Sequence, residues 1–220
     1  MTVMLDRPTA IDSPEEPEPN PALQPSFDSL FWTLLTMEVP EGFRAEIVGG
    51  NIVMSPWSKG YYLDVMDSLV EQLMPRLPKD QRVSYAPFLF ALPGQERAYG
   101  PDIYVAAREA FRTYDRYIDG ETLTLVAELT SNATRDVDWN DKLPVYAKAG
   151  IPVYLLLDMQ DRSISVFSDP TPEGYAERTT CRFGKPVQLP SPFDFELDTV
   201  PFDAAPGKKA TEPEAPEKEA

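Results

Sequence analysis

The chain has 220 residues, of which 36 are acidic and 20 basic, giving a formal net charge of −16 at pH 7. It contains no histidine and only one cysteine, Cys181, to which we assign no role. These counts exclude Ser-His-Asp and Cys-His nucleophiles, histidine general bases, HExxH zinc sites, intrachain disulfides and cysteine-held metal clusters. Any catalysis must therefore use carboxylates, lysine or hydroxyl groups, with or without a cation bound by oxygen ligands.

Both ends of the chain are rich in Pro and Glu and poor in apolar residues. Residues 1–26 and 203–220 are therefore predicted to be disordered tails around one folded domain at 27–202. That domain holds 26 acidic and 16 basic residues, which does not favour nucleic-acid binding by bulk charge. No apolar stretch is long enough to span a bilayer, and the first residues lack the pattern of a secretory signal. We expect a cytoplasmic protein without a membrane partner.

The first half of the domain predicts helices alternating with short strands. Ser26 or Asp28 is suited to cap a short amphipathic helix. A two-glycine turn between two β-type runs then predicts a hairpin over FRAEIV and NIVMS. Apolar spacing predicts a helix over residues 58–74. The run RVSYAPFLFAL predicts a strand interrupted at Pro87, and PGQERAYG predicts a loop before the strand PDIYVAA.

The second half predicts strands that are buried on both faces. TLTLVAEL is a nearly continuous apolar strand. A helix follows over residues 138–149 and ends at Gly150, a natural C-cap position. VYLLLD predicts another buried strand, and SISVFS with the segments after Gly174 predicts an antiparallel meander. This order indicates a mixed α/β sheet without regular βαβ alternation.

Acidic residues of the central strands are the strongest candidates for chemistry. Asp102 begins one strand, and Glu128 lies inside the apolar run of the next, where an unpaired carboxylate would be costly. Two such carboxylates from neighbouring strands predict a site for Mg²⁺ or Mn²⁺. Asp138, Lys142 and Tyr146 follow at i, i+4 and i+8, which places a lysine just beyond the Glu128 strand. Two carboxylates, a cation and an ammonium group suffice for phosphodiester hydrolysis.

Each of these positions also has a structural explanation. A Pro-Asp pair is common at strand starts, so Asp102 alone is weak support. Glu128 can be satisfied by a hydroxyl group or by a plain ion pair with Lys142. The spacing of Asp138 and Lys142 is that of an ordinary helix salt bridge, worth ~0.3–0.5 kcal/mol. The positions taken together, in this order and on these elements, favour the catalytic interpretation.

The motifs, in their order, resemble the Uma-type family of bacterial restriction endonucleases in the PD-(D/E)xK nuclease superfamily. The matching segments are PDIYV, LVAELTS, DWNDKLPVYAKAGIPVYLLLD and the hairpin FRAEIVGGNIVMSP. The resemblance covers about residues 28–190. It implies an α/β (α+β) fold, with a restriction-endonuclease-like mixed β-sheet flanked by helices and an N-terminal β-hairpin extension.

The resemblance also implies a set of site residues. Asp102 and Glu128 would bind Mg²⁺ or Mn²⁺, with the carbonyl of Leu129 as a further ligand. The superfamily often places its lysine two residues after the Glu, where this chain has Thr130. Family members with this pattern supply the lysine from the following helix, which points to Lys142. The His that often begins the first long helix of the family is absent, because residues 58–61 read SKGY.

Further residues are second-tier candidates. Glu46 in the hairpin is a candidate to complete the metal shell, and Ser131 is either a turn or cap residue or a substrate contact. Asp138 and Tyr146 flank Lys142 on the same helix face.

Three arginines at i, i+4 and i+8 form a separate candidate surface. Arg108, Arg112 and Arg116 would face a phosphate backbone if their segment were helical; the alternative is a solvated face.

The sequence thus predicts a metal-dependent endonuclease that hydrolyses DNA, with the lysine supplied from the helix after the Glu128 strand. The alternative is a catalytically inactive binding or accessory protein that keeps the nuclease fold. A third hypothesis, with less support, is an enzyme that acts on a phosphate substrate other than nucleic acid. Superfamily members often act as dimers, so the resemblance makes a homodimer a further expectation, although no interface is identified.

Overall fold

The computed structural model describes residues 25–203 except Ala133. Residues 1–24 and 204–220, which make up nearly all of the two predicted tails, lie outside the described part of the chain. Among the described residues, no helix has the length and apolar character needed to cross a bilayer.

Short strands and a few helices alternate along the described chain. The helices are α1 (Phe27–Thr36), α2 (Tyr62–Leu73), α3 (Arg135–Val137) and α4 (Leu143–Lys148). The strands before the Glu128 strand are β1 (Phe43–Val48), β2 (Asn51–Pro56), β3 (Gln81–Ser84), β4 (Leu89–Leu92), β5 (Arg97–Tyr99), β6 (Ile103–Ala107) and β7 (Tyr117–Asp119). The remaining strands are β8 (Leu123–Leu129), β9 (Val153–Asp158), β10 (Ser163–Thr171), β11 (Gly174–Arg182), β12 (Val187–Leu189) and β13 (Phe195–Leu197).

A six-stranded mixed sheet forms the centre of the molecule, in the order β11-β10-β9-β8-β6-β3. Strands β8 and β9 are parallel, and the other neighbours are antiparallel. The helices between β8 and β9 provide the crossover that a parallel pair requires. Strands β10 and β11 pair antiparallel, as predicted for SISVFS and the segment after Gly174, whereas the later strands β12 and β13 form a separate two-stranded sheet. The mixed α+β architecture confirms the predicted fold class.

Alternating side chains of β8 divide the core into two layers. Leu125, Ala127 and Leu129 pack with residues of α2 on one face of the sheet. Val126 lies on the opposite face, with Tyr146 of α4 and residues of β4 and β5. Since side chains alternate along a strand, Glu128 shares the face of Val126. The candidate carboxylate therefore points into the layer between the central sheet, α4 and a second sheet.

The second sheet has the strand order β2-β1-β5-β4-β7 and includes the predicted hairpin. Gly49 and Gly50 have φ angles of 57° and 76°, the left-handed conformations that a tight two-residue hairpin turn requires. The hairpin is thus an edge of a five-stranded sheet. Pro87 does interrupt the predicted strand, because β3 joins the central sheet and β4 joins the second sheet.

One segment predicted as a loop contains a strand. The end of PGQERAYG forms β5, which pairs with β1 and β4. Ala98 and Tyr99 are fully buried there, so tertiary pairing overrides the local Gly and Pro signals.

The predicted helix over residues 138–149 begins earlier and is not uniform. It starts as α3, widens into a π-helical turn at Asp138–Lys142 and continues as α4. Pro144 has no backbone N–H and cannot make the usual bond to residue 140, which favours a widened turn at this point. The predicted helix over residues 58–74 begins later, with α2 at Tyr62.

Candidate active site

Asp102 and Glu128 are brought together by the pairing of β6 with β8. In this antiparallel pair Ile103 lies opposite Ala127. One further step along the register sets Asp102 opposite Glu128 on the same face of the sheet. Both side chains are buried, with exposed fractions of 5% and 0%. Neighbouring strands thus position the two carboxylates that the sequence singled out.

Lys142 reaches this pair from the π-helical turn. Its Nζ lies 2.9 Å from Oε1 of Glu128 and 3.2 Å from Oε1 of Glu46. The Asp138 carboxylate is farther, at 3.7 Å, so the intrahelical ion pair is the longest of the three contacts. We call Glu46, Glu128, Asp138 and Lys142 the carboxylate–lysine cluster. The lysine is only 2% exposed, and three separate elements contribute to the cluster.

The two oxygens of Glu128 differ in their surroundings. Oε1 accepts hydrogen bonds from Lys142 Nζ and from the Tyr146 hydroxyl, both at 2.9 Å. Oε2 is buried and has no hydrogen-bond partner among the described residues. Buried polar atoms are nearly always hydrogen-bonded, so an exception needs an explanation. A plain ion pair with Lys142 accounts for only one of the two oxygens.

Burial sets the electrostatics of the carboxylates. It raises the pKa of Glu128 to about 8, against the opposing charge of Lys142 and with help from the Asp102 charge. Burial likewise raises the pKa of Asp138 to about 6, with Lys142 again opposing the shift. The cluster therefore holds more carboxylates than its cations can keep ionised.

Lys142 and Glu46 remain charged in the same surroundings. Although burial opposes it, the charges of Glu128, Glu46 and Asp138 raise the pKa of Lys142 above its usual range. Burial would raise the pKa of Glu46, but Lys142 and Arg44 outweigh it and lower that pKa. Glu46 also accepts a 2.7 Å hydrogen bond from the backbone N–H of Gly100. Lys142 is therefore a permanent ammonium group in this site.

Asp102 is held by two side chains that the sequence analysis did not include in the site. Arg44 Nη1 donates to Oδ1 of Asp102 at 2.9 Å, and Ser58 Oγ donates to the same oxygen at 3.3 Å. Arg44 and Glu46 lie two residues apart on β1, so the alternation of strand side chains could have placed them together. Ser58 lies in the SKGY segment, where the family often has a His.

The backbone of Leu129 faces the Asp102 carboxylate. Its N–H donates to Oδ2 of Asp102 at 2.9 Å. The N–H and C=O of a strand residue point to the same side of the strand, so the carbonyl oxygen of Leu129 also faces Asp102. Among the described residues, no group of three or more His, Cys, Asp or Glu side chains is arranged to hold a metal ion. Any cation here would rely on two carboxylates and a backbone carbonyl.

Ser131, a second-tier candidate, lies in the turn that follows β8. Ser131 forms a turn with Thr134, whose backbone N–H donates to Ser131 Oγ at 3.2 Å. This is the turn role that the sequence left open beside a substrate contact.

The three arginines do not form a helical stripe. Only Arg108–Phe111 is helical, as a single 3-10 turn. Arg112 pairs with Glu109 at 3.3 Å, and Arg116 donates to the carbonyl of Leu35 at 3.2 Å. The condition for a shared phosphate-binding face is therefore not met, and a contact to nucleic acid at these residues stays a prediction.

Comparison with known proteins identifies relatives by sequence pattern and by fold. The family model Uma2, described as "Putative restriction endonuclease", matches residues 32–200. No curated protein matches the chain. A crystal structure described as a putative nuclease belonging to DUF820 from Anabaena variabilis has a similar fold, with a TM-score of 0.59 at 16% sequence identity. The similarity covers 76% of this chain and 89% of that chain.

Proposed function

Because this chain belongs to the Uma2 family of restriction-endonuclease-like proteins, we propose that it is a metal-dependent endonuclease that hydrolyses the phosphodiester bonds of DNA. The observation that carries the proposal is Glu128, a fully buried carboxylate opposite Asp102 with one oxygen lacking a partner among the described residues. Lys142 contacts its other oxygen. Two carboxylates and a lysine in this relation are the working parts of a PD-(D/E)xK site.

A divalent cation fits the donor atoms of this site. Oε2 of Glu128, a carboxylate oxygen of Asp102 and the carbonyl of Leu129 would hold Mg²⁺ or Mn²⁺, which prefer such oxygen ligands. Glu46 is the candidate to complete the shell, through a water or directly. When bound, such a cation polarises a phosphoryl oxygen and lowers the pKa of its water ligand.

The charge balance supports the same assignment. Four carboxylates (Glu46, Asp102, Glu128 and Asp138) lie with only two cationic groups, Arg44 and Lys142. With all of them ionised the set carries two negative charges in excess, which equals the charge of one divalent cation.

Lys142 acts in this proposal as a donor and not as a base. Its pKa is raised, so it has no lone pair with which to take a proton from water near neutral pH. Two of its three N–H groups donate to Glu46 and Glu128, and the third is assigned to the attacking water or a phosphoryl oxygen. Tyr146 holds Glu128 in place through its hydroxyl hydrogen bond.

The test is a cleavage assay on DNA in Mg²⁺ or Mn²⁺. We expect activity that is abolished by EDTA and reduced at least ~10³-fold in Asp102→Ala and Glu128→Ala, since each substitution removes a metal ligand. Glu196→Ala, which removes an exposed charge on β13 outside the candidate site, is the matched control and retains activity. Cleavage that persists unchanged in Asp102→Ala or Glu128→Ala would refute the assignment of the site.

A further inference from the structure

A cavity of about 390 Å³ opens beside Asp102. Its walls are mainly apolar: Leu63 and Met66 of α2 lie on one side, and the segment between β3 and β4 lies on another. Glu46 and Asp102 line its inner end. The cavity is therefore continuous with the candidate active site.

Three aromatic side chains border this cavity and remain exposed. Trp57 is 52% exposed, Tyr85 40% and Phe88 41%. They come from two separate chain segments, one after β2 and one between β3 and β4. Large aromatic side chains normally bury their rings, so three exposed rings around one concave site indicate a surface for a flat apolar ligand. We call Trp57, Tyr85 and Phe88 the aromatic rim.

The Phe88 ring and the backbone of Trp57 are held by neighbouring residues. The Phe88 ring packs edge-on against Phe111, with ring centroids 5.5 Å apart. The backbone N–H of Trp57 donates to the carbonyl of Gly42 at 3.0 Å. Rings that are positioned before a ligand arrives lose less entropy on binding.

Cationic groups lie at the inner side of the same cavity. Lys59 and Arg44 both line it. The Nε of Arg44 is buried and has no hydrogen-bond partner among the described residues. Arg44 is already paired with Asp102 at 2.9 Å, so Lys59 is the cationic side chain of this cavity that would meet an anionic group.

A second cavity, of about 200 Å³, lies on the Leu129 side. It shares Arg44, Trp57 and Lys59 with the first cavity, and its far wall includes the polar residues Asn132 and Thr134. Asp102 thus lines the aromatic cavity and Leu129 lines the neighbouring one. A strand crossing this site would have its phosphate near Asp102 and one base in the aromatic cavity.

We propose that the aromatic rim stacks an unpaired nucleobase of the substrate, so that the protein acts on single-stranded or locally unpaired DNA. This inference rests on the proposed function and names its substrate class. A base inside a duplex has both faces covered by its neighbours, so only an unpaired base offers a face to an aromatic ring. Stacking also does not depend on positive surface charge, which suits a domain with 26 acidic and 16 basic residues.

Binding measurements test the inference without any cleavage. The probe is a fluorescein-labelled single strand of mixed sequence, about 15 nucleotides long, measured by fluorescence anisotropy in EDTA with the full-length protein. The same strand annealed to its complement, and a strand of equal length made of abasic sites, are the comparison ligands. We expect the single strand to bind at least ~10-fold more tightly than either of them.

Substitutions identify the surface. Trp57→Ala should weaken single-strand binding by roughly 5- to 150-fold, the range that loss of one base–aromatic stack produces, and Trp57→Phe should restore most of it. Trp32→Ala is the matched control, because Trp32 is 69% exposed on α1 and does not line the cavity. Circular dichroism on each variant confirms an unchanged fold. Equal binding of duplex and single strand, or an unchanged Kd in Trp57→Ala, would overturn the inference.

The two proposals fail in different ways. Single-strand binding that depends on Trp57, without any metal-dependent cleavage, would support the aromatic rim and refute the endonuclease. Glu128-dependent cleavage of duplex DNA, with the same rate in Trp57→Ala, would support the endonuclease and refute the rim. A small-molecule ligand or another segment of this chain in the cavity would also leave oligonucleotide binding independent of Trp57, which counts against the inference.

Discussion

Two groups of ion pairs join the helices between β8 and β9 to the central sheet, and they differ in how completely their polar atoms are satisfied. One is the carboxylate–lysine cluster around Lys142. The other, which we call the Asp158 cluster, consists of Asp158 at the end of β9 with Arg135 and Asp161. In both, a nearly buried carboxylate pairs with a cationic side chain of the helical segment.

In the described part of the chain, no buried side-chain N or O atom of the Asp158 cluster lacks a hydrogen-bond partner. Oδ1 of Asp158 accepts hydrogen bonds from the backbone N–H groups of Gln160 and Asp161, at 3.2 and 3.1 Å. Oδ2 accepts a 2.8 Å bond from Arg135. Although burial alone would raise it, the bonds from Asp161 and Arg135 lower the pKa of Asp158. This arrangement stabilises the turn after β9, and Arg135 keeps 42% of its side chain exposed.

The carboxylate–lysine cluster has the opposite properties. The pKa of Glu128 is raised to about 8, its Oε2 lacks a partner among the described residues, and Lys142 is only 2% exposed. Burial of these groups without a partner for every polar atom costs free energy. An ion pair that serves only stability, with all its polar atoms hydrogen-bonded, avoids that cost. Both clusters contain an ion pair of a buried carboxylate, so the ion pair does not distinguish them. What distinguishes a structural site from a functional one is whether every carboxylate oxygen has a hydrogen-bond partner.

Removal of Lys142 should have the largest effect on stability. Lys142→Met leaves Glu46, Glu128 and Asp138 buried without their cation, and we expect a loss of about 3–5 kcal/mol in the free energy of unfolding. Urea denaturation followed by circular dichroism measures it. The double variant Glu128→Gln/Lys142→Met should recover part of the loss, because one uncompensated charge is gone. If Lys142→Met lowers the free energy of unfolding by less than about 1 kcal/mol, the three carboxylates do not form buried ion pairs with Lys142 as described.

Removal of the Asp158 charge should have an intermediate effect. Asp158→Asn weakens the bonds to Arg135 and to the backbone of the turn, and we expect a loss of about 1–3 kcal/mol with catalytic activity retained. The same denaturation measurement and the cleavage assay, run in parallel, check both parts. Loss of activity at unchanged stability would place Asp158 in the functional site and abolish the contrast.

The Asp158 cluster also predicts a pH dependence. A carboxyl whose pKa is lower in the folded than in the unfolded state stabilises the fold above the unfolded pKa of about 3.9. That contribution is lost as the pH falls through the lower folded pKa of Asp158. The free energies of unfolding of the wild type and Asp158→Asn should therefore differ most above about pH 4 and converge in stronger acid. A constant difference down to the acid transition would contradict this assignment.

Neutralising Glu128 should change stability little. Glu128→Gln keeps an oxygen acceptor for Lys142 and Tyr146, and burial already raises the pKa of Glu128 to about 8, so the substitution removes little charge near neutral pH. We therefore expect a change within about 1 kcal/mol. The comparison with Asp158→Asn in the same denaturant series is the informative one. If Glu128→Gln proves as destabilising as Lys142→Met, Glu128 has a structural role.

Removal of an exposed ion pair should have the smallest effect on stability among these substitutions. Arg112 and Glu109 lie 3.3 Å apart with side chains 78% and 79% exposed. Pairs of this kind contribute little, so thermal melting of Arg112→Ala should match the wild type within error. A clear drop in melting temperature would show that ion pairing matters here without burial.

The sequence was sufficient for the parts of the site that depend on local pattern. The apolar run around Glu128 predicted a buried carboxylate, and the spacing of Asp138, Lys142 and Tyr146 predicted one helix face. These signals are short-range, and periodicity alone encodes them.

Other parts depend on contacts between distant segments. The hydrogen bonds from Arg44 and Ser58 to Asp102 cross 58 and 44 residues, and strand β5 exists only because β1 and β4 flank it. The aromatic rim combines Trp57 with Tyr85 and Phe88, about thirty positions later. Since no local pattern encodes such contacts, sequence reasoning placed Glu46 in the second tier and gave Arg44 no role.

Titration calorimetry with Mn²⁺ tests the central contrast most directly, because it reads cation binding independently of activity. The wild type should bind Mn²⁺, Glu128→Gln should lose measurable binding at millimolar concentration, and Asp158→Asn should bind as the wild type does. Unchanged binding in Glu128→Gln, or loss of binding in Asp158→Asn alone, would contradict the assignment of the carboxylate–lysine cluster as the functional site.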